Sequence, residues 1–263
     1  MYENILLSIE DSIATIALNR PKSMNALTHE TFQELKDAFV ECANNDDVRA
    51  VVVTGSEKCF SSGGDMDGFK KMLEGGTTAE QAKKSAASAG EMTYAARQCF
   101  KPTVAMISGA CFGAGMSLAL ACDFRVIDSS AKMNTAFIGV GFTGDTGAIF
   151  HLKEMLGLTK MQELMMLAPL LGADDIMRLG LATQLAEDGK LRETAYKLAG
   201  RLAKGPTASY ANQKRLFWEF FYKDYDSFAD LEAKYMGEST QTRDFLEAVS
   251  AFMEKRKPNF TGK

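Results

Sequence analysis

The stretch that most limits what this chain can fold into is Lys101–Asp123, KPTVAMISGACFGAGMSLALACD. After Pro102, the apolar run Thr103–Ile107 reads as a buried strand. The run breaks at Ser108-Gly109 and passes through Gly113-Ala114-Gly115. It then continues as a small-residue apolar segment that reads as a buried helix. A strand feeding a glycine turn into a helix points free backbone N–H groups at one spot. That spot is expected to face a group that is negative or becomes negative.

The flanking pattern is α/β. Ile5–Glu10 and Ile13–Leu18 read as a hairpin around Asp11-Ser12. A loop, Asn19–Ser23, leads to a helix capped by Thr28, with Phe32, Leu35, Phe39 and Cys42 at helical spacing. Asn44–Asp47 ends that helix. Ala50–Thr54 (AVVVT) reads as a strand covered on both faces. A long connection, residues 55–76, precedes a helix expected over 80–100. Phe124–Ile127 is another strand, and residues 131–144 read as irregular. Asp145 or Thr146 is placed to cap a helix running to Leu156 and closed by Gly157. From Thr159 onward the pattern is almost wholly helical. The alternation predicts right-handed parallel crossovers followed by a helical region. The aromatic segment Phe217–Tyr222 (FWEFFY) is expected either in the core or at an oligomer contact.

Bulk properties exclude several classes. A net charge of -4 and a pI near 5.4 argue against a nucleic-acid partner. The five cysteines show no CxxC spacing, and His29 and His151 are the only histidines, so reduced thiols and no metal are expected. The N-terminus shows no signal-peptide pattern, no run approaches a membrane span, and the C-terminal FTGK is not a peroxisomal signal; the cytoplasm is the expected compartment. The 15 methionines are expected in core packing, although an adaptable pocket would use them too.

Nucleotide readings of the glycine turn fail. Gly113-Ala114-Gly115 is followed by Met-Ser-Leu, so the third glycine of GxGxxG is missing. There is no GK[ST] to end a Walker loop and no GxSxG elbow. A second glycine-rich turn does follow a strand, at Phe60-Ser61-Ser62-Gly63-Gly64-Asp65. Two loops donating N–H groups to one point is the layout of an oxyanion hole.

Three separated motifs carry a family resemblance: Asn19-Arg20-Pro21-Lys22-x-x-Asn25-Ala26-Leu27; Phe60–Asp65; and Ser108-Gly109-x-x-x-Gly113-Ala114-Gly115-x-x-Leu118-Ala119-x-x-Cys122-Asp123. In this order and spacing the chain resembles the crotonase (enoyl-CoA hydratase/isomerase) superfamily, essentially end to end. The resemblance implies an α/β fold: a spiral core of ββα turns over residues 1–195, with a helical trimerisation region over 196–263. It implies an acyl-CoA thioester substrate, no cofactor beyond the coenzyme A moiety, and a homotrimer or dimer of trimers. The two oxyanion amides fall on Gly64 and Ala114. Lys22, Ser62 and Gly63 match positions that meet the adenosine end of CoA, and Lys255 matches a lysine that reaches CoA from a neighbouring subunit. Asp65 is expected to hold its own turn.

The resemblance also locates what is missing. The two glutamates that straddle water in hydratases map to Ser117 and Phe137, neither of which is a carboxylate. One carboxylate is well placed instead, Asp145 in Gly141-Phe-Thr-Gly-Asp-Thr-Gly147. Relatives that isomerise dienoyl-CoA or ring-epoxyphenylacetyl-CoA carry an aspartate there, and 4-chlorobenzoyl-CoA dehalogenases carry their nucleophile there. Helix capping is the competing role. A single aspartate suffices to move a double bond, and Phe137 and Phe142 would raise its pKa. Met66, Phe69, Met72 and Leu73 are expected toward the acyl end, and Met66, Ser117, Phe137 and Phe142 are expected to line the pocket. The leading expectation is an acyl-CoA double-bond isomerase. The alternatives are an atypical hydratase or hydratase-lyase, a hydrolase or dehalogenase using Asp145 as nucleophile, and a non-catalytic acyl-CoA binder. The helix before the second oxyanion loop lacks the histidine that dehalogenases use.

Overall fold

The hairpin forms as expected. Strands β1 (Ile5–Glu10) and β2 (Ile13–Leu18) pair antiparallel, and Asp11 and Ser12 turn the chain at φ 50° and 61°. The computed structural model describes residues 2–263. Helix α1 (His29–Asn44) starts at Thr28, whose hydroxyl accepts the Thr31 N–H at 3.2 Å. Strand β3 (Ala50–Thr54) is buried at every residue, as its β-branched run requires of a central strand.

Three ββα turns then follow one another. In the first, β3 leads to a short strand β4 (Cys59–Ser61) and helices α2 (Met66–Glu74) and α3 (Ala79–Gln98). In the second, β5 (Thr103–Ile107) leads to β6 (Ala110–Phe112) and α4 (Ala114–Ala121). In the third, β7 (Phe124–Ile127) leads to β8 (Lys132–Asn134), a 3-10 turn (Phe137–Val140) and α5 (Ala148–Leu167). The long strands stack into a six-stranded sheet ordered β1-β2-β3-β5-β7-β9, parallel from β2 onward. Its last member, β9 (Gln184–Leu185), follows helix α6 (Ala173–Arg178). The short strands form a separate parallel sheet, β4-β6-β8.

The remaining chain is helical: α7 (Leu191–Ala203), α8 (Thr207–Phe221), α9 (Tyr225–Ser239) and α10 (Arg243–Met253). A division at 195/196 cuts α7. Ala195, Ala199, Leu202 and Ala203 of that helix pack on Val52, Val104 and Val126 of the large sheet. The helical region apart from the sheet therefore begins at α8. Helix α9 lies along α3, and α10 packs against α2.

The Cys122-Asp123 end of the central motif is a structural lock. Asp123 accepts from the Thr103 N–H (2.8 Å), the Thr103 hydroxyl (3.0 Å) and the buried Lys214 ammonium (2.7 Å). The buried Arg125 guanidinium donates to the carbonyls of Cys122 (2.7 Å) and Ala119 (3.3 Å) at the C-terminal end of α4.

Four local expectations change. The 55–76 connection contains β4 and α2, and the 131–144 segment contains β8 and the 3-10 turn. The strands and the 3-10 turn are too short for a period to show in sequence, whereas α2 does carry one in Met66, Phe69 and Leu73. Gly157 does close the first helical run of α5, as expected: at φ 76° and ψ 168° it is non-helical and separates the two runs of that element. The largely helical tail includes β9. Finally, neither Asp145 nor Thr146 caps α5: the cap residue is Gly147 and makes no side-chain cap. The aromatic segment divides. Trp218 and Tyr222 stack on each other and join Tyr225, while Phe217, Phe220 and Phe221 are exposed.

Candidate active site

The first wall of the site is made of backbone. Strands β4 and β6 pair in parallel, Cys59 with Ala110 and Ser61 with Cys111, so the turns that follow them emerge at the same end. The turns are pressed together. Gly63 has φ 98°, and a Cβ there would lie 2.9 Å from the Phe112 carbonyl oxygen. Gly113 has φ 48° and ψ -125°, and its Cβ position is 3.8 Å from the Gly63 Cα. A Cβ on Gly115 would meet the Ser61 side chain at 2.5 Å. Only glycine permits both these conformations and this approach.

This packing leaves two amides free. The Leu27 N–H donates to the Gly63 carbonyl (2.8 Å), and the Asp65 N–H to the Leu27 carbonyl (3.0 Å), bracketing Gly64. Among the described residues, no protein acceptor takes the Gly64 N–H or the Ala114 N–H. Ala114 opens α4 as its first helical residue and lies outside the positive-φ set, so its Cβ costs nothing there. The amide has the direction of a helix N-terminus, with the favourable dipole that this brings to a developing anion.

The first sequence motif proves to be the scaffold under this wall. Asn25 accepts from the Arg20 N–H (3.0 Å) and donates to the carbonyls of Cys59 (3.1 Å) and Phe60 (3.2 Å). The Ser61 hydroxyl donates to the Asn25 carbonyl (2.8 Å) and accepts the Gly63 N–H (3.1 Å). Asp65 caps α2 through the Asp67 N–H (3.0 Å) and pairs with Arg20 (3.1 Å). Lys22 is exposed on a 3-10 turn, Pro21–Ser23, at the edge of the wall. That turn is stitched to Ser62, whose N–H donates to the Met24 carbonyl (3.0 Å) and whose hydroxyl donates to the Ser23 carbonyl (3.4 Å). Lys22, Ser62 and Gly63 thus share one edge. Lys255 stands on a separate element, exposed beyond α10.

The second wall is the segment Phe137–Gly147. Gly141, Gly144, Thr146 and Gly147, and Ala136 just before the segment, all have positive φ, so the chain doubles back repeatedly. Two aromatic bridges connect it to the first wall. The buried Phe137 ring lies 4.0 Å from the Cβ position of Gly113 and 3.5 Å from that of Gly144. Phe69 of α2 approaches the Cβ position of Gly64 at 3.0 Å and meets Phe142 edge-on at 4.8 Å. Phe142 in turn stacks on Phe245 of α10 at 4.6 Å. Met66 is half-buried at the start of α2, packed on the main core. Ser117 is fully buried, and its hydroxyl turns back to the Gly113 carbonyl at 3.4 Å.

Asp145 follows Gly144 on this wall. Freed from capping, its carboxylate accepts one side-chain hydrogen bond, from the Thr146 hydroxyl at 3.2 Å. Burial raises its pKa to about 6, against the opposing pull of that hydroxyl and of its own N–H. Glu232 of α9, which is buried and accepts the Gly147 N–H at 2.8 Å, has its pKa raised to about 8, chiefly by burial and secondarily by the charge of Asp145. No group of three or more His, Cys, Asp or Glu side chains is arranged to hold a metal ion among the described residues.

Comparison with known proteins decides the class. The family model for enoyl-CoA hydratase/isomerase matches residues 8–263. A crotonyl-CoA hydratase of Syntrophomonas wolfei is 32% identical over 263 residues, covering 100% of this chain and 99% of that protein. The chain belongs to the enoyl-CoA hydratase/isomerase family. A trans-2-decenoyl-[acyl-carrier-protein] isomerase of Streptococcus mutans is 28% identical over 262 residues, covering 100% of this chain and 99% of that protein. An enoyl-CoA hydratase structure from Mycobacterium avium subsp. paratuberculosis superposes with a TM-score of 0.89 at 25% identity, covering 99% and 100% of the two chains. The protein is thus an enzyme of this family with the crotonase fold, and both hydratases and isomerases are among its relatives. No helix of the described chain is long and apolar enough to cross a membrane.

Gly64, Ala114 and Asp145 are candidates that the sequence singles out; Phe245, Glu232 and the residues around it are not. Glu232 sits in an unremarkable charged helix (Leu231-Glu-Ala-Lys-Tyr), and nothing in that run marks one glutamate as buried.

Proposed function

We propose that the protein isomerises enoyl thioesters of coenzyme A, with Asp145 as the single acid/base. The observation that carries this reading is the state of Asp145. Its carboxylate is desolvated, with pKa near 6, and does not cap the helix that begins three residues later. It lies on a wall that Phe137 joins to the Gly113-Ala114 turn.

In a 3-enoyl thioester, Asp145 takes a proton from C2. The electron pair moves onto the carbonyl oxygen, giving a dienolate, and the same carboxyl returns the proton at C4 as the double bond settles between C2 and C3. No atom is gained or lost. The Gly64 and Ala114 amides stabilise the dienolate oxygen more than the neutral carbonyl, which is the difference that lowers the barrier. Each such donor contributes about 3 to 4 kcal/mol. Phe137, Phe142, Phe69 and Phe245 supply an apolar surround that keeps water from the dienolate. Ser117 and Phe137 offer no second carboxylate to activate water, which disfavours hydration.

Lys22, Ser62 and Gly63 form the edge to which we assign the CoA adenosine, with Lys255 completing it from a neighbouring protomer of a trimer. The exposed apolar residues Leu216, Phe217, Phe220 and Phe221 of α8 suit burial in such an assembly. Nothing beyond the CoA of the substrate is required as a cofactor, and the cytoplasm is the compartment this reading assigns.

The test compares wild type with Asp145→Asn on 3-enoyl-CoA, 2-enoyl-CoA and 4-chlorobenzoyl-CoA. The expected result is 3-enoyl isomerisation by the wild type, lost by about 10²- to 10⁴-fold in kcat in the variant. Isomerisation unchanged in Asp145→Asn, or hydration of 2-enoyl-CoA as the only activity, would refute it.

A further inference from the structure

Asp145 is followed by a peptide bond that is held at both ends. The Thr146 carbonyl accepts the Thr93 hydroxyl of α3 at 2.9 Å, and the N–H of the same peptide, from Gly147, donates to Glu232 Oε2 of α9 at 2.8 Å. Thr146 is buried and has φ 60°, a conformation that strains a β-branched residue. Gly147, at φ 77°, has no room for a side chain: a Cβ would lie 2.5 Å from the Tyr225 hydroxyl and 3.4 Å from His151 Nε2. Helices α3, α5 and α9 therefore converge on one strained peptide next to the candidate acid/base.

Glu232 itself has no stability rationale. Among the described residues it forms no ion pair, and its second oxygen, Oε1, is buried without a partner. A buried carboxyl in that condition is destabilising unless another demand retains it. The titratable groups that act on it are Asp145 from the loop and Tyr225 from its own helix, while Arg97 of α3 and His151 of α5 face Tyr225. None of these cations or rings hydrogen-bonds it.

We propose that Thr93 and Glu232 are positioning residues, gripping the Thr146–Gly147 peptide from opposite ends so that Asp145 is held where it can reach the substrate. The proposal rests on the reading of Asp145 as the acid/base. Two further features support it. Both grips are made to main-chain atoms, so they fix the backbone rather than a movable rotamer. And the proton that Glu232 holds near neutral pH keeps a second negative charge away from Asp145, leaving Asp145 as the ionised member of the pair.

The test uses the full chain and four variants: Thr93→Val, Glu232→Leu, Glu232→Gln and Asp145→Asn. Steady-state isomerisation of 3-enoyl-CoA gives kcat and KM separately, and thermal melts report folding. Thr93→Val and Glu232→Leu are expected to lower kcat about tenfold or more with KM changed less than about threefold. Glu232→Gln keeps an acceptor for the Gly147 N–H and is expected to recover kcat to within about threefold of wild type. A readout without turnover is amide exchange at Gly147, expected to be faster in Glu232→Leu than in Glu232→Gln. Wild-type kcat in Thr93→Val and Glu232→Leu, equal impairment of the two Glu232 variants, or equal Gly147 exchange in both would overturn the proposal. If Glu232→Leu does not fold, the contrast of Thr93→Val with Glu232→Gln decides it. An inactive Asp145→Asn beside fully active Thr93→Val and Glu232→Leu removes the grip alone. A fully active Asp145→Asn removes the reading of Asp145 itself.

Discussion

The two walls of the site are built on opposite principles. The oxyanion wall is local: two turns at the ends of paired parallel strands, shaped by Gly63 and Gly113, with donors supplied by the backbone. The aspartate wall is assembled from afar. A segment with several left-handed residues is held by Thr93, Glu232 and the Phe245 ring, which come from three separate helices. In the proposed reaction the first wall stabilises charge wherever an enolate forms, whatever the product, and the second decides where a proton goes. Locating the product-determining group on the less local wall lets its surroundings change without disturbing the enolate trap.

The sharpest way to break this division is Ala114→Pro. Proline is tolerated at a first helical position, so α4 survives, but the donor is removed and a Cδ takes its place. A loss of about 10²- to 10³-fold in kcat is expected, with Tm little changed. A kcat within a few-fold of wild type would mean that the first wall is not the anion site.

The second wall is probed by pH. Asp145 must be ionised to accept the C2 proton, and its pKa is raised to about 6. The expected kcat/KM is level near pH 7 and falls about tenfold per unit below about 6. A profile flat down to pH 5 would remove Asp145 as the base.

A smaller effect separates Glu232 from the rest of the structure. In the unfolded chain it titrates near 4.5, while in the fold it keeps its proton until about 8. Between those values the native state binds more protons, so the contribution to stability is full below 4.5 and is lost as pH rises through 8. Glu232→Gln lacks this liability. Its Tm is expected to gain on wild type by several degrees between about pH 5 and 8. A gap that does not vary with pH would contradict the buried, protonated state.

The smallest expected change is Ala114→Gly. The alanine Cβ sits in an ordinary helical conformation, so the amide keeps its place and kcat should stay within about threefold. A large gain or loss would mean that the Cβ itself shapes the site.

The contrast between the walls also explains what could be read from the sequence. The strands Ala50–Thr54 and Thr103–Ile107 and both glycine turns follow from local signals: apolar runs, glycines and the motif around Asn25. The candidate enolate trap was legible for that reason. Asp145 could be named, but its local context, Gly-Asp-Thr-Gly, looks like a helix cap. Only the fold shows that the cap is Gly147 and that the carboxylate is free of that role. Glu232 and Phe245 left no trace, because a helical period does not tell which polar residue meets a distant loop. The short strands β4, β6, β8 and β9 were hidden for a different reason, as two or three residues carry no detectable period.

The central claim is that one carboxyl moves one proton across an enolate face closed to water. It is tested most directly by converting 3-enoyl-CoA in deuterium oxide and reading the product by NMR. The account predicts 2-enoyl-CoA that carries a substantial share of the original C2 proton at C4, and loss of that conversion in Asp145→Asn. Complete deuteration at C4, or a product bearing a hydroxyl at C3, would contradict it.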